Sequence, residues 1–207
     1  SGKMSGYIGI NLRDILNDDS LGESVAKNVL SSFSCPLNPD VEYFLRHTAI
    51  EFSKQSISST YLIMASYKDK YVLCGYFSLA NKVFCIEKDS LPNRNWKRRM
   101  AKFGQFDKAV QRYTISAPLI GQLGKNYANG YDKLITGDEL LKLALDKVRE
   151  MQYIVGGKIV YLECEQKEKL IDFYQSNGFV NFGTRALDRD ETDKLSGESL
   201  VQMLRYM

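Results

Sequence analysis

The chain has 207 residues, of which 44% are hydrophobic and 26% are charged, values typical of a folded globular protein. A chain of this length buries enough apolar surface to fold as one domain without disulfides or structural metals. Its 28 basic and 25 acidic residues give a net charge of +3, which by itself is too small to indicate a nucleic-acid-binding or membrane-surface protein.

The histidine and cysteine content restricts the chemistry. His47 is the only histidine, which excludes motifs that need two, such as the HExxH zinc site, and a structural role is favoured for it. No two of the four cysteines form a CxxC pair, which argues against zinc and thioredoxin-like chemistry, so no metal is predicted. So few cysteines in a chain of this size are typical of a reduced, cytoplasmic protein.

The first three residues are not expected to belong to the fold. Ser1-Gly2-Lys3 precedes Met4 and is interpreted as a remnant of cloning, so residues 4–207 are predicted to form the single domain. The sequence has no run of 18 apolar residues and no apolar leader, and no association with a membrane is predicted.

The first half predicts helices followed by antiparallel strands. Residues 12–16 and 24–33 are predicted as short helices, and apolar residues at helical spacing predict a helix over 41–53 with Asp40 as its N-cap. Beyond a serine-rich break, β-branched and aromatic residues predict a meander of three strands: 61–67, 71–79 and 83–86.

Residues 87–112 are predicted to be a basic insertion or lid. Seven basic residues surround Trp96, Phe103 and Phe106: Arg94, Lys97, Arg98, Arg99, Lys102, Lys108 and Arg112. Two interpretations stay open. The segment is either a solvated helix followed by a loop, which is the more common case, or a patch that binds an anionic substrate.

The second half alternates strands and helices. A strand over 118–123 and a loop over 126–133 precede a helix whose start carries a Thr136-x-x-Glu139 capping box and whose end is Gly156-Gly157. The remaining predicted elements are a strand at 158–163, a helix at 167–176 and strands at 179–182 and 200–206. This order predicts an α+β (mixed α/β) domain around one sheet.

The junction between Leu123 and the helix from Gly137 is the candidate anion site. Free backbone N–H groups at a helix start bind phosphate, and Lys125 and Lys133 add positive charge there. Neither GxxxxGK[ST] nor GxGxxG is present, so nucleotide-hydrolysing and dinucleotide-binding functions lose support.

The segment 170–179 reads LIDFYQSNGF and resembles the FYxxxGF helix of the GNAT superfamily of N-acetyltransferases. In that family a strand, a pyrophosphate-binding loop, a long helix and a strand precede this helix, as predicted here over 118–182. The segments 33–35, 43–46, 59–61 and 75–79 resemble the front half of the toxin-type acetyltransferases of bacterial toxin–antitoxin modules. The resemblance covers about residues 33 to 206 and implies a central twisted mixed sheet flanked by helices.

The resemblance also implies acetyl-CoA as cosubstrate. The backbone of Leu123, Gly124 and Lys125 would pair with the pantetheine arm, and Phe173 would also contact the cofactor. The pyrophosphate would lie on the loop made of Asp132, Lys133, Leu134, Ile135, Thr136 and Gly137. The family loop reads Gln/Arg-x-x-Gly-x-Gly/Ala, so Asp132 and Ile135 depart from it, and Ile135 puts a bulky residue where backbone must approach phosphate. Lys167 stands where many members have asparagine.

For the chemistry, the resemblance implies Tyr174 as the general acid. A tyrosine with a pKa of ~10 is protonated at neutral pH and can donate a proton to the departing thiolate. Without the resemblance, Tyr174 would more simply be a core aromatic beside Phe173. No general base is evident, because Gln122 stands where some members carry glutamate; a water relay is expected, with Glu163 as a further candidate. A covalent mechanism through Cys164 stays open.

The sequence therefore predicts transfer of an acetyl group from acetyl-CoA to a primary amine. The aminoacyl group of charged tRNA is one candidate amine, in which case residues 94–112 would contact phosphates, while protein and small amines stay open. A non-catalytic CoA-binding or protein-interaction module is the alternative from another class, because the loop departs from the family pattern. The family analogy also implies a homodimer.

Overall fold

The computed structural model describes residues 2–4, 6–189, 191, 195 and 197–207. The chain divides into two compact units, one made of residues up to 80 and 120–146, the other of residues 81–119 and 147–207. Two strands and the longest helix of the described residues continue from one unit into the other. The prediction of a single domain stays a prediction.

The first unit contains an antiparallel run of strands and a group of short helices. Its strands follow the order β1-β2-β3-β4, with β6 next to β4. Their bounds are β1 Gly2–Met4, β2 Tyr7–Asn11, β3 Ser59–Tyr67, β4 Lys70–Glu87 and β6 Arg112–Lys125. The helices are α1 Leu12–Asn17, α2 Gly22–Ser31, α3 Pro39–Tyr43 and α4 Ala49–Lys54, and a π-helical turn, Phe44–Thr48, joins the last two.

Two predictions for this part of the chain are wrong. The helix expected over 41–53 begins at Pro39, a residue preorganised for a first helical position, and not after an Asp40 cap. The strands expected at 71–79 and 83–86 are one continuous strand, β4. The buried side chains of Phe84 and Ile86 continue the alternation of buried and exposed positions along this strand. The residues between the two predicted strands therefore stay extended, and strand pairing overrides the turn propensity of Asn81.

The N-terminal residues pair with the sheet. Gly2 lies opposite Gly9 and Met4 opposite Tyr7 in an antiparallel pair. Ser1, the first residue of the segment interpreted as a remnant of cloning, lies outside the described residues. The origin of residues 1–3 stays a prediction.

The second unit has strand order β6-β7-β9-β8, and β5 pairs antiparallel with β6. The further elements are α5 Arg94–Phe103, β5 Gly104–Asp107, α6 Gly137–Val155, β7 Ile159–Glu165, α7 Glu168–Ser176, β8 Val180–Ala186 and β9 Ser199–Tyr206. The mixed α/β class is confirmed. The strand expected at 118–123 begins earlier, so Pro118 lies inside β6 and not at its start.

The basic segment folds as an amphipathic helix and a hairpin strand. Trp96 and Met100 of α5 are buried with Tyr113 and Tyr161 in the core of the second unit, so α5 is not solvated on all sides. Among the described residues, no helix is both long enough and apolar enough to cross a membrane.

Candidate functional site

The end of β6 is held in place by a buried asparagine. Asn126 has no exposed surface; its side-chain oxygen accepts the N–H groups of Ser34 (3.0 Å) and Ala128 (3.0 Å). Its amide nitrogen donates to the carbonyl of Leu73 (2.8 Å), and its backbone N–H donates to Cys74 (2.9 Å). A buried polar group that loses its hydrogen-bond partners lowers the stability of the fold. These bonds therefore fix the position of residues 123–125 at the end of the strand.

Gly124 is required at its position by packing. A Cβ there would clash with Cγ1 of Val41 on α3, and the carbonyl of Gly124 lies against Gly75 of β4. The glycine thus lets helix and strand approach closely. Its predicted contact with the cofactor stays a prediction.

We expect Gly124→Ala to lower the free energy of unfolding by about 1 to 3 kcal/mol, because the added methyl overpacks a fixed site. Urea denaturation of the variant measures this loss. The double variant Gly124→Ala/Val41→Ala should lose less free energy of unfolding than the two single variants lose in sum. The reason is that Val41→Ala removes the side chain with which the new methyl group clashes. Strict additivity would contradict the packing explanation.

The candidate pyrophosphate loop, residues 132–137, begins in a 3-10 segment, Ala128–Leu134, that is kinked at Asn129 and Gly130, and continues with extended backbone at Ile135. Lys125 Nζ donates to the carbonyl of Asp132 (3.4 Å), which joins the strand end to the loop. The side chain of Ile135 is only 2% exposed. It therefore points into the core, and its bulk does not cover the solvent side of the loop, where Lys133 is exposed. The residues present fit a phosphate group paired with the ammonium groups of Lys125 and Lys133.

The capping box at the start of α6 is confirmed. The N–H of Glu139 donates to Thr136 Oγ1 (3.1 Å), and the N–H of Thr136 donates to Glu139 Oε2 (2.8 Å). The bond from Thr136, the largest cause, holds the pKa of Glu139 below its ordinary value. The carboxylate is therefore ionised at neutral pH and keeps the loop end and the helix start together.

Tyr7 of β2 contacts the same junction, and the sequence analysis missed it. Its hydroxyl lies 3.0 Å from the carbonyl oxygen of Leu134 and 3.0 Å from Glu139 Oε2. Burial, and then the bond to Glu139, raise the pKa of Tyr7 to about 12, so the hydroxyl keeps its proton over the physiological range. No local signal could have found this contact, because its partners are more than 120 residues away in the chain.

If acetyl-CoA binds this loop, as the family resemblance implies, Tyr7→Phe should raise its KM several-fold while kcat stays nearly unchanged. The change removes a donor that positions the loop but no group that acts on the reacting atoms. Steady-state kinetics with varied acetyl-CoA measure the effect, and Tyr71→Phe, at an exposed tyrosine, is the matched control. An equal change in both variants would contradict a positioning role.

Tyr174 and Phe173 lie on α7 of the second unit. Tyr174 is 8% exposed, and its ring contacts Phe173 (centroids 5.0 Å apart) and Phe179 (5.7 Å). The helix ends at Asn177-Gly178, and the N–H groups of Asn177 and Phe179 both donate to the carbonyl of Tyr174. These contacts hold the aromatic ring in one position, as both a core residue and a catalytic acid would need.

Glu163 has both carboxylate oxygens in hydrogen bonds. Oε1 accepts the hydroxyl of Tyr161 (2.6 Å) and Oε2 accepts Nε of Arg185 (2.6 Å). Burial, and then the bond to Glu163, raise the pKa of Tyr161 well above its ordinary value. Arg185 also binds Glu191 through both terminal nitrogens (2.9 and 2.7 Å). Both oxygens of this carboxylate are therefore already engaged with neighbouring side chains.

The other candidate residues of the sequence lie in surroundings that favour a structural role. Burial raises the pKa of the Cys164 thiol to about 11, which disfavours the thiolate that a covalent mechanism needs. Lys167 Nζ pairs with the buried Glu165 (3.1 Å). The ring of His47 lies 4.7 Å from that of Tyr43 on the preceding turn.

Comparison with solved structures identifies the fold. AtaT complexed with acetyl-methionyl-tRNAfMet superposes with a TM-score of 0.60 at 18% identity, over 94% of this chain and 93% of that one. A mutant of KacT superposes with a TM-score of 0.61 at 16% identity, over 96% and 94%. Both are GNAT-fold toxins of toxin–antitoxin modules. The chain has the GNAT fold.

A third GNAT-fold structure contains the cofactor. It is a tyrosine-to-phenylalanine mutant of AtaT bound to the C-terminus of the antitoxin AtaR and acetyl-CoA, with a TM-score of 0.59 at 17% identity, over 98% of this chain and 94% of that one. No protein-family model and no curated protein sequence matches the chain. At these identities the likeness establishes the fold alone.

Proposed function

We propose that the chain is an N-acetyltransferase that transfers the acetyl group of acetyl-CoA to a primary amine. The observation that carries the proposal is the GNAT fold over nearly the whole chain, shared with a structure that holds acetyl-CoA, together with a tyrosine in the FYxxxGF helix. Lys133, exposed on the candidate loop, and Lys125 at the strand end support a phosphate ligand.

In the proposed reaction the neutral amine attacks the thioester carbonyl, the carbon–sulfur bond breaks, and CoA leaves as thiolate. Tyr174 donates its proton to that sulfur, since a thiol of pKa ~8.5 leaves more readily when protonated. The amine loses its proton to water, because Glu163 is already held by Arg185 and Tyr161. On the cofactor side, residues 123–125 would bind the pantetheine arm and the loop 132–137 would bind the pyrophosphate. The contact of Phe173 with the cofactor stays a prediction.

The aminoacyl group of charged tRNA is the second candidate substrate. It is favoured by the likeness to AtaT, which was solved with acetyl-methionyl-tRNAfMet, and by the cations of α5. A bacterial, cytoplasmic, homodimeric protein would suit this role; these three attributes stay predictions.

Calorimetric titration with acetyl-CoA tests the cofactor site. We expect one molecule to bind per chain with a micromolar Kd, which corresponds to a binding free energy of about −8 kcal/mol. Lys125→Gln should weaken binding, because it removes both a cation and the bond to Asp132, whereas Lys27→Gln, an equal loss of charge on α2, should not. Absence of binding to the unmodified protein would overturn the proposal.

Release of free thiol from acetyl-CoA tests the transfer. The acceptors are a panel of small primary amines, a lysine-rich peptide and methionyl-tRNA. Thiol release that depends on one acceptor identifies the amine. Tight binding of acetyl-CoA with no acceptor-dependent release would favour a non-catalytic CoA-binding module instead.

A further inference from the structure

Two tyrosines and a lysine of the first unit lie together beside the candidate pyrophosphate loop. The ring of Tyr67, the last residue of β3, meets the ring of Tyr131 edge to face, with centroids 5.6 Å apart and planes at 67°. Lys68 Nζ lies 5.2 Å from the centroid of the Tyr67 ring. We call Tyr67, Lys68 and Tyr131 the aromatic platform. Tyr131 directly precedes Asp132, the first residue of the candidate loop, so the platform adjoins the loop.

The aromatic platform is open to solvent. Tyr67 is 36% exposed, Lys68 is exposed and Tyr131 is half-buried. Lys68 forms no ion pair with a carboxylate of the described residues, so its charge is available to a ligand. A partly exposed aromatic ring that is held by a second ring is a surface on which a flat ligand can stack with little loss of conformational entropy.

The turn that carries Lys68 has a strained backbone. Tyr67 pairs with Lys70, so Lys68 and Asp69 are the two central residues of the hairpin, with φ of +48° and +62°. Such a turn favours glycine or asparagine, because most other side chains destabilise a positive φ. The hairpin therefore has a lysine where the fold alone would favour a smaller residue, and its ammonium group lies over the aromatic ring.

The covalent structure of CoA places a base and a phosphate next to the pyrophosphate. The pyrophosphate joins the pantetheine arm to the ribose of an adenosine, which carries a further phosphate on its 3′ oxygen. The family resemblance assigns residues to the pantetheine arm and to the pyrophosphate, and none to the adenosine. A pyrophosphate on the loop 132–137 would leave the adenosine beside the loop, where Tyr131 supplies an aromatic surface and Lys68 a cation.

We propose that the aromatic platform binds the adenosine end of acetyl-CoA. The adenine ring stacks on Tyr131, whose ring is held edge-on by Tyr67, and the 3′-phosphate pairs with Lys68. The inference rests on the proposed function and adds a specificity to it, because the chain then selects acetyl-CoA over acyl carriers that lack the 3′-phosphate.

Removal of one phosphate from the ligand tests the role of Lys68. Calorimetry compares acetyl-CoA with acetyl-3′-dephospho-CoA for the unmodified protein, for Lys68→Gln and for the control Lys108→Gln, which removes an exposed lysine from the turn between β5 and β6. We expect Lys68→Gln to weaken the binding of acetyl-CoA several-fold and to leave the binding of acetyl-3′-dephospho-CoA unchanged, because the ammonium group then has no phosphate to pair with. Equal weakening of both ligands, or of neither, would overturn this pairing.

A fluorescent base tests the stacking on Tyr131. In 1,N6-etheno-CoA the adenine is replaced by a fluorescent analogue, whose emission is quenched when it stacks on an aromatic ring. Saturating unmodified protein or Tyr131→Phe should quench this emission, whereas Tyr131→Leu should not, and Tyr131→Leu should raise the Kd for acetyl-CoA about tenfold. The matched control is Tyr71→Leu, because Tyr71 follows Lys70 and so points to the opposite face of the hairpin from Tyr67.

The outcomes separate this inference from the proposed function. If Tyr131→Leu binds acetyl-CoA as tightly as the unmodified protein, the inference is overturned and the proposed function stands. If Tyr131→Leu binds acetyl-CoA weakly but still quenches the etheno base, Tyr131 shapes the loop and the stacking is overturned. If Tyr131→Leu does not fold, as thermal unfolding would show, Lys68→Gln still tests the platform with both rings in place. Absence of acetyl-CoA binding to the unmodified protein overturns the proposed function and this inference with it.

Discussion

Tyr174→Phe should lower kcat for acetyl transfer by about 10²- to 10⁴-fold, the usual contribution of a positioned general acid. The KM for acetyl-CoA should change little, because phenylalanine keeps the ring that packs against Phe173 and Phe179. The measurement is thiol release with the acceptor found in the substrate panel, together with calorimetry of acetyl-CoA binding.

The matched control for this experiment is Tyr153→Phe. Tyr153 is 93% exposed on α6, so the same chemical change there should leave the rate unaltered. Thermal unfolding of both variants separates a loss of catalysis from a loss of fold. An unchanged rate in Tyr174→Phe would mean that Tyr174 is a core aromatic and that the leaving thiolate takes its proton from water.

The sequence was most informative where the determining contacts are local. The capping box of α6 was predicted because Thr136 and Glu139 lie three residues apart and satisfy each other's backbone donors. The end of α6 at Gly156 was predicted because a positive φ favours glycine, and φ there is +86°. The order of strands and helices over the second half followed from hydrophobic patterning and the family resemblance together.

The predictions that failed, and the residues that were missed, depend on distant partners. Asn81 looked like a turn residue, yet it stays extended inside β4. The contacts of Tyr7 with Leu134 and of Arg185 with Glu163 join residues 127 and 22 positions apart. Propensity and spacing contain no information on such pairs, because the tertiary fold creates them. The orientation of Ile135 also could not be read from the sequence. This residue departs from the family loop, and only its burial in the fold shows that its side chain points away from solvent.

The arginine that joins Glu163 to Glu191 leads to the second large expected effect. Arg185→Met should lower the free energy of unfolding by about 2 to 3 kcal/mol. Glu163 is only 11% exposed, so losing its cation leaves a nearly buried carboxylate with the Tyr161 hydroxyl as its remaining partner. The loss is smaller than for a fully buried pair because Arg185 is itself 27% exposed. Urea denaturation measures the difference.

Two variants make this test specific. Arg112→Met breaks the exposed ion pair with Glu87 and should cost about 0 to 1 kcal/mol. Arg185→Lys keeps the charge but loses the two-pronged contact with Glu191, so an intermediate loss is expected. Equal losses for Arg185→Met and Arg112→Met would contradict a stabilising role of the buried network.

The pH dependence of the Arg185→Met effect gives an independent check of the same network. The hydrogen bond from Arg185, the largest cause, holds the pKa of Glu191 below its ordinary value. A carboxyl whose pKa is lowered by folding adds stability above its unfolded pKa, about 4.3, and loses that contribution as the pH falls through the folded pKa. The stability difference between the unmodified protein and Arg185→Met should therefore be constant at about pH 6 to 8 and shrink below about pH 4. A difference that stays constant into acid would mean that the arginine stabilises the fold by packing and not by its charge.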